Sequence, residues 1–162
     1  MILLPFLLKK YTFAAVDTIY TYLYYIDNEN MSRKKVVIEY MLSTKSPVIV
    51  WKLIANAAGL QKWLADRVSA DGQTMTFTWA EGQPVEDVKV SHVIAMRKNS
   101  YIRLKMDVEH CADEYMEMRI EESAQTGGLA LVITDFADAD DEESLRKLWR
   151  GNLYRLHNVS GL

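Results

Sequence analysis

From residue 67 onward apolar and polar side chains alternate. The runs break at turn-forming clusters: Asp71-Gly72, Glu81-Gly82-Gln83-Pro84, Lys98-Asn99-Ser100 and Thr126-Gly127-Gly128. Period-two alternation between such breaks predicts an antiparallel meander, in which residues i and i+2 share a face. On that rule Met75, Phe77 and Trp79 lie opposite Thr74, Thr76 and Thr78, and Val88, Val90, His92, Ile94 and Met96 lie opposite Lys89, Ser91 and Arg97. Likewise Ile102, Leu104, Met106 and Val108 oppose Arg103, Lys105 and Asp107, and Met116, Met118 and Ile120 oppose Glu117, Arg119 and Glu121. One face of the sheet is therefore expected to be apolar and the other solvated. The run LALVITDF, residues 129–136, is apolar on both parities and predicts a more covered strand.

Before the meander, VVIEYML at 36–42 is a short strand-like run. It is closed by a segment in which Ser46 is placed to cap a helix that begins at Pro47. Val50, Leu53 and Ile54 make the apolar face of that helix. Gly59 interrupts, and Leu60, Trp63 and Leu64 make the face of a second short helix. After the meander, DADDEESLRKLWRGNLYRLHNVSGL predicts a long helix, capped by Asp140 with Glu143 or by Asp141 with Ser144. Glu142–Arg146 and Glu143–Lys147 are spaced to pair along it. Its stripe of Leu145, Leu148, Trp149, Asn152, Leu153 and Leu156 is expected to cover the apolar sheet face.

Residues 1–30 depart from this pattern, being apolar and tyrosine-rich. Val16, Ile19, Tyr20, Leu23 and Ile26 recur at helical spacing, which predicts a helix over about 11–26 in an N-terminal extension preceding a domain of 31–162. Lys9 and Lys10 follow the apolar run rather than precede it, unlike a secretory signal, and with Asp17 they interrupt any spanning helix. Met31, followed by Ser-Arg-Lys-Lys and a strand, is a second candidate start.

At 162 residues, the chain has the length of one domain with a substantial core. Its 19 Lys and Arg against 22 Asp and Glu offer no cationic excess for phosphates, so nucleic acid is not an expected partner. One cysteine, Cys111, cannot form an internal disulfide and fits a cytoplasmic setting.

A strand, two short helices, six further antiparallel strands and a long C-terminal helix is the order of the helix-grip fold, an α+β architecture. Several residues carry a closer likeness: Pro47 and Val50-Trp51, Gly59-Leu60-x-x-Trp63 with Asp66, Phe77-x-Trp79, and the Leu148-Trp149 helix. On these, residues 35–157 resemble the START-like (SRPBCC) superfamily and are similar to the heat-shock chaperone ATPase activator homologue (AHSA-type) domain. Asp71-Gly72-Gln73-Thr74 departs from the Gly-Gly pair or bulky aromatic that most relatives carry near the second hairpin. The resemblance implies a curved sheet of about seven strands around the long helix, with a cavity between them. In relatives that cavity holds sterols, lipids, plant hormones or polyketides, and some members are cyclases or hydrolases; fold alone does not choose among these.

The expected function is non-catalytic binding of a hydrophobic, lipid-like small molecule in that cavity. The expected lining is Met75, Phe77, Trp79, His92, Ile94, Met96, Leu104, Met106, Met116, Met118, Asp135, Trp149 and Asn152. Methionine suits an adaptable pocket, but it also fills irregular cores, which is the plainer account of Met75, Met96, Met106, Met116 and Met118. The alternatives are a chaperone-associated interaction module, with a chaperone or a homodimer mate as partner, and a cyclase or hydrolase using His92 with Asp135 or Glu39. His92 lacks a visible orienting partner, which favours an ordinary packing role. The loop Glu109-His110-Cys111-Ala112-Asp113-Glu114 gathers metal-capable groups without ligand spacing, and Asp138–Glu143 lacks the spacing of a calcium loop. No nucleophile elbow, phosphate loop or dinucleotide fingerprint is present, so no metal or cofactor is expected.

Overall fold

The computed structural model describes residues 33–80, 82, 84–107 and 113–162. The N-terminal extension with its expected helix, Val108 of the expected strand face, and residues 109–112 of the metal-capable loop lie outside the described residues.

Seven strands form one antiparallel sheet: β1 Lys34–Met41, β2 Arg67–Asp71, β3 Thr74–Trp79, β4 Asp87–Arg97, β5 Tyr101–Met106, β6 Met116–Glu122 and β7 Leu129–Ala137. Their order is β1-β7-β6-β5-β4-β3-β2, so β2 to β7 run as the expected meander and β1 closes onto β7. Between β1 and β2 lie helices α1, Pro47–Ile54, and α2, Ala57–Leu60; the long helix α3, Glu142–Ser160, follows β7 after a short turn at Ala139–Asp141. This is the α+β helix-grip arrangement that the pattern predicts.

Proline at the first position starts α1, since its fixed φ suits a helix and its missing N–H leaves nothing unsatisfied there. The Ser46 side chain makes no cap bond; its backbone N–H instead donates to Thr44 Oγ1. Asn56 Oδ1 caps α2 by accepting from Gly59 N at 2.8 Å. Gly59 has a packing role. A Cβ there would run into the Lys52 carbonyl oxygen and lie 2.9 Å from Leu53 Cα, so only glycine lets α2 close onto α1. That closure buries Trp63, 1% exposed, in the turn after α2, with its Nε1 donating to Leu53 O at 3.0 Å.

The core lies between α1, the α2 turn, α3 and one face of the sheet. Ile102, Leu104, Met118, Leu131 and Ile133 are completely shielded there. On α3 the buried stripe is Trp149, Asn152, Leu153 and Leu156; Leu145 is partly buried, but Leu148 is 59% exposed, contrary to its expected place in the cover. No side chain caps the helix at Asp140 or Asp141. Glu142 pairs with Arg146 as its spacing predicts, while Glu143 reaches Arg150 rather than Lys147. Both ends of α3 are tied to β1 or its flanks: Lys34 to Glu142 and Arg146 to Val37 O at one end, Tyr40 to Leu162 O and Ser43 to Gly161 O at the other.

The opposite sheet face is polar but ordered. Glu117, nearly buried, accepts from Arg103 and Arg119, and those guanidinium groups lie 4.1 Å and 4.2 Å over the rings of Tyr115 and Tyr101. Burial alone would raise the Glu117 carboxyl, yet the two arginines outweigh it and hold it below its ordinary 4.5.

Gly59→Ala is therefore expected to destabilise the protein by about 2 kcal/mol, although alanine is the better helix former. A urea titration reads this as a lowered midpoint at unchanged slope. A midpoint equal to wild type would show that α2 does not need this approach.

Candidate functional site

Between the N-terminal half of α3 and the sheet lies a cavity of about 510 Å³. That is within the roughly 300–1,000 Å³ of small-molecule sites. Its floor comes from strand ends on the inner face, with Phe77 and Trp79 from β3, Met106 from β5, Met116 from β6 and Asp135 from β7. Leu145, Leu148, Trp149 and Asn152 from α3 form the roof, and Leu64 closes the side nearest α2. Charged and aromatic groups at the rim include Arg33, Lys89, Asp107, Glu114 and Tyr115, with Val88, Val90 and Phe136 completing the lining.

The aromatic walls are held by bonds at their polar edges. Trp79 Nε1 donates to Leu64 O at 2.9 Å, and its ring stacks on Phe77 with centroids 6.0 Å apart. Trp149 Nε1 donates to Asp135 Oδ2 at 2.8 Å, and its ring is 6.4 Å from that of Trp63. Asp135 Oδ1 accepts from the Phe136 backbone N–H at 2.8 Å. Asn152, one turn beyond Trp149, is 6% exposed and its Oδ1 accepts from Arg155 Nη2 at 2.7 Å.

Burial pushes the Asp135 carboxyl above its ordinary 3.8; the N–H groups of Trp149 and Phe136 and the charge of Arg33 oppose the shift, and Glu114 adds to it. At the rim Arg33 pairs with Glu114 and Asp138, and donates to Phe136 O. Lys89 extends over the Trp79 ring, 5.6 Å from its centroid.

Of the thirteen residues expected to line a pocket, seven meet at this cavity: Phe77, Trp79, Met106, Met116, Asp135, Trp149 and Asn152. Met75, Leu104 and Met118 share the inner face but lie farther along the sheet, packed into solid core. His92, Ile94 and Met96 belong to neither group. Phe77 pairs with Lys89 and Met75 with Ser91, so Lys89 and Ser91 take the inner face and His92 the outer. There His92 is exposed and its Nδ1 is 3.2 Å from Thr74 Oγ1. Ile94 sits at an irregularity between Val93 and Ala95 and is 50% exposed. Beyond the irregularity Met96 pairs with Ile102, yet it is 58% exposed.

Both parities of β4 carry apolar residues, so alternation alone could not choose the face. Ser91, fully buried, bonds Met75 O through its hydroxyl and so tolerates the inner side. Glu39 is also corrected: it pairs with Val132, which pairs with Arg119, and so stands on the outer face. His92 thus faces away from Asp135, with β5 and β6 between their strands, and the proposed acid–base pairs with Asp135 or Glu39 do not form around the cavity. Among the described residues no cluster of three metal-capable side chains occurs, and no helix is long and apolar enough to cross a membrane.

The sequence reading missed Lys89, which needs the strand register to place it, and Arg33, which reads as a linker residue. Leu64, Leu145 and Leu148 were legible as apolar helix positions, but not as cavity walls.

Comparison with known proteins agrees with this geometry. A family model described as the START-like superfamily domain matches residues 30–162. The chain belongs to the START-like superfamily. A Bacteroides fragilis protein solved by NMR is 31% identical, covering 80% of this chain and 92% of its own, with a TM-score of 0.52. An AHSA1-like protein from Aeromonas hydrophila shares the fold at 14% identity and TM-score 0.61, over 79% of this START-like chain and 94% of its own. The Aha1 dimer of Colwellia psychrerythraea does so at 16% and 0.58, over 77% and 96%. No curated protein matches.

The raised Asp135 carboxyl fixes a sign. The folded state binds the extra proton, so stability from this group is full below 3.8 and falls as pH rises through the raised value. Relative to Asp135→Asn, wild type is expected to lose stability across that window, read by urea unfolding at a series of pH values. A difference that stays flat, or grows in favour of wild type, would contradict the assignment.

Proposed function

We propose that the protein binds a hydrophobic small molecule in the cavity beneath α3 and performs no chemistry on it. The observation that supports this best is the cavity itself, whose floor is built from Phe77, Trp79, Met106 and Met116. Aromatic and thioether walls offer an apolar, adaptable contact surface, with charged groups gathered at the rim. The non-catalytic reading is further supported by the outward placement of His92 and Glu39. A chaperone-associated module draws support from the AHSA1-like fold; the partly open cavity beneath α3 supports the ligand reading over it.

The test is native mass spectrometry of freshly purified full-length protein followed by organic extraction, paired with binding of a neutral fluorescent apolar probe. Wild type is expected to carry or take up an apolar molecule. Met116→Trp, which fills the cavity, is expected to weaken probe binding at least about tenfold while the fold persists. Empty wild-type protein that binds no probe, or unchanged binding in a folded Met116→Trp variant, would overturn the proposal.

A further inference from the structure

The exposed side of α3 carries a glycine with no task inside the described chain. Gly151 stands midway along Glu142–Ser160, on the side turned away from Trp149, Leu153 and Leu156. A Cβ there would meet nothing within 4 Å, whereas at Gly59 one would strike the Lys52 carbonyl. Glycine inside a helix is destabilising relative to alanine, because it gives up more backbone freedom on folding. One turn to either side stand Leu148 and Tyr154, both more than half exposed. At about 100° per residue the three share roughly a third of the helix's circumference, with Gly151 in the middle. The stripe is a notch between two large apolar side chains, each three residues from the glycine. Lys147 and Tyr154 lie on one flank of it, Leu148 and Arg155 on the other.

We infer that this stripe is a homodimer interface, in which two copies pack α3 antiparallel with their Gly151 residues at the crossing. The missing Cβ lets the axes approach to the near end of the roughly 8–10 Å range of packed helices. A two-fold axis between the glycines brings each residue before Gly151 level with one equally far after it in the second copy, and sets like flank on like flank. Leu148 therefore comes level with Tyr154 of the partner subunit, and each helix places these two side chains around the other's notch. On one flank the Lys147 ammonium meets the ring of Tyr154 of the partner subunit, a cation–π contact that the symmetry forms twice. On the other, Leu148 meets the aliphatic stem of Arg155 of the partner subunit. Within its own chain the Arg155 guanidinium is held by Asn152 Oδ1 and Leu64 O. Lys147 and Arg155, which are like charges at matching levels, stand on opposite flanks and do not meet. A second copy is the occupant because the pattern is its own complement. Leu148 also lines the cavity, so the partner subunit covers that part of its rim.

Sedimentation velocity of the full-length protein over about a hundredfold range of concentration is expected to show monomer passing to dimer and no larger species, since an isologous contact closes at two copies. Gly151→Ala separates the interface from helix propensity. Its dimer dissociation constant is expected to rise at least about tenfold, while the urea midpoint of the dilute, monomeric protein goes up because alanine is the better helix former. Gly151→Gln, whose Cβ meets no described atom in the monomer, is expected to keep the wild-type circular dichroism and stay monomeric throughout. A wild type that remains monomeric, as it does if this face serves a different protein, overturns the assignment. So does a dimer that neither substitution weakens, or a ladder of larger species.

Discussion

The long helix α3 meets the sheet along a narrow stripe, and the indole N–H of Trp149 bonded to Asp135 fixes that stripe to β7 at 2.8 Å. This contact joins three parts of the molecule at once. The Trp149 ring meets Trp63, which α1 and α2 hold in place through the Leu53 carbonyl and the close approach at Gly59. Its N–H reaches the sheet, and its remaining surface forms the cavity roof. Clamps from β1 and its flanks to both ends of α3 then leave the helix little freedom to settle onto the strand ends. The space beneath its first half has Trp149 in its roof and Trp79 in its floor.

Energetically the arrangement divides into two regimes. Around Trp63, Ile54, Leu60, Ile102, Leu104 and Met118, the interior is closed and apolar, and each large side chain contributes about 1.5–3 kcal/mol by leaving water. Around Asp135 and Asn152 the interior holds a charge that burial disfavours and an amide bonded on one side only. Such polarity is a poor choice for stability alone, because an apolar replacement of similar volume is often neutral or better. The outer face shows the contrast: Glu117 sits between Arg103 and Arg119 and is held below its ordinary value, as a structural carboxylate should be.

Legibility in the sequence followed how one-sided each element is. β3, β5 and β6 carry apolar residues on one parity and polar ones on the other, so their faces could be read directly. β4 carries Val88, Val90 and Ile94 on one parity and Val93 and Ala95 on the other, so its face depended on pairing with β3, which no local pattern encodes. That ambiguity moved His92 off the site, while the irregularity between Val93 and Ala95 leaves Ile94 exposed and sets Met96 opposite Ile102 but 58% exposed. Pro47 marked the start of α1 because its effect is local, whereas Ser46, Asp140 and Asp141 were free to make other contacts or none. The distinction between core and cavity was not legible either. Met118 and Met116 lie two residues apart on the same face and both are buried, yet only Met116 lines the cavity.

The central claim, that the space under Trp149 takes up an apolar ligand, has a direct reporter in the four indole N–H resonances. A ¹H–¹⁵N titration of the full-length protein with dodecan-1-ol should shift the signals of Trp149 and Trp79, which wall the cavity, and leave that of Trp51 in place. Saturation with no movement at Trp149 or Trp79, or movement confined to Trp51, would contradict the account.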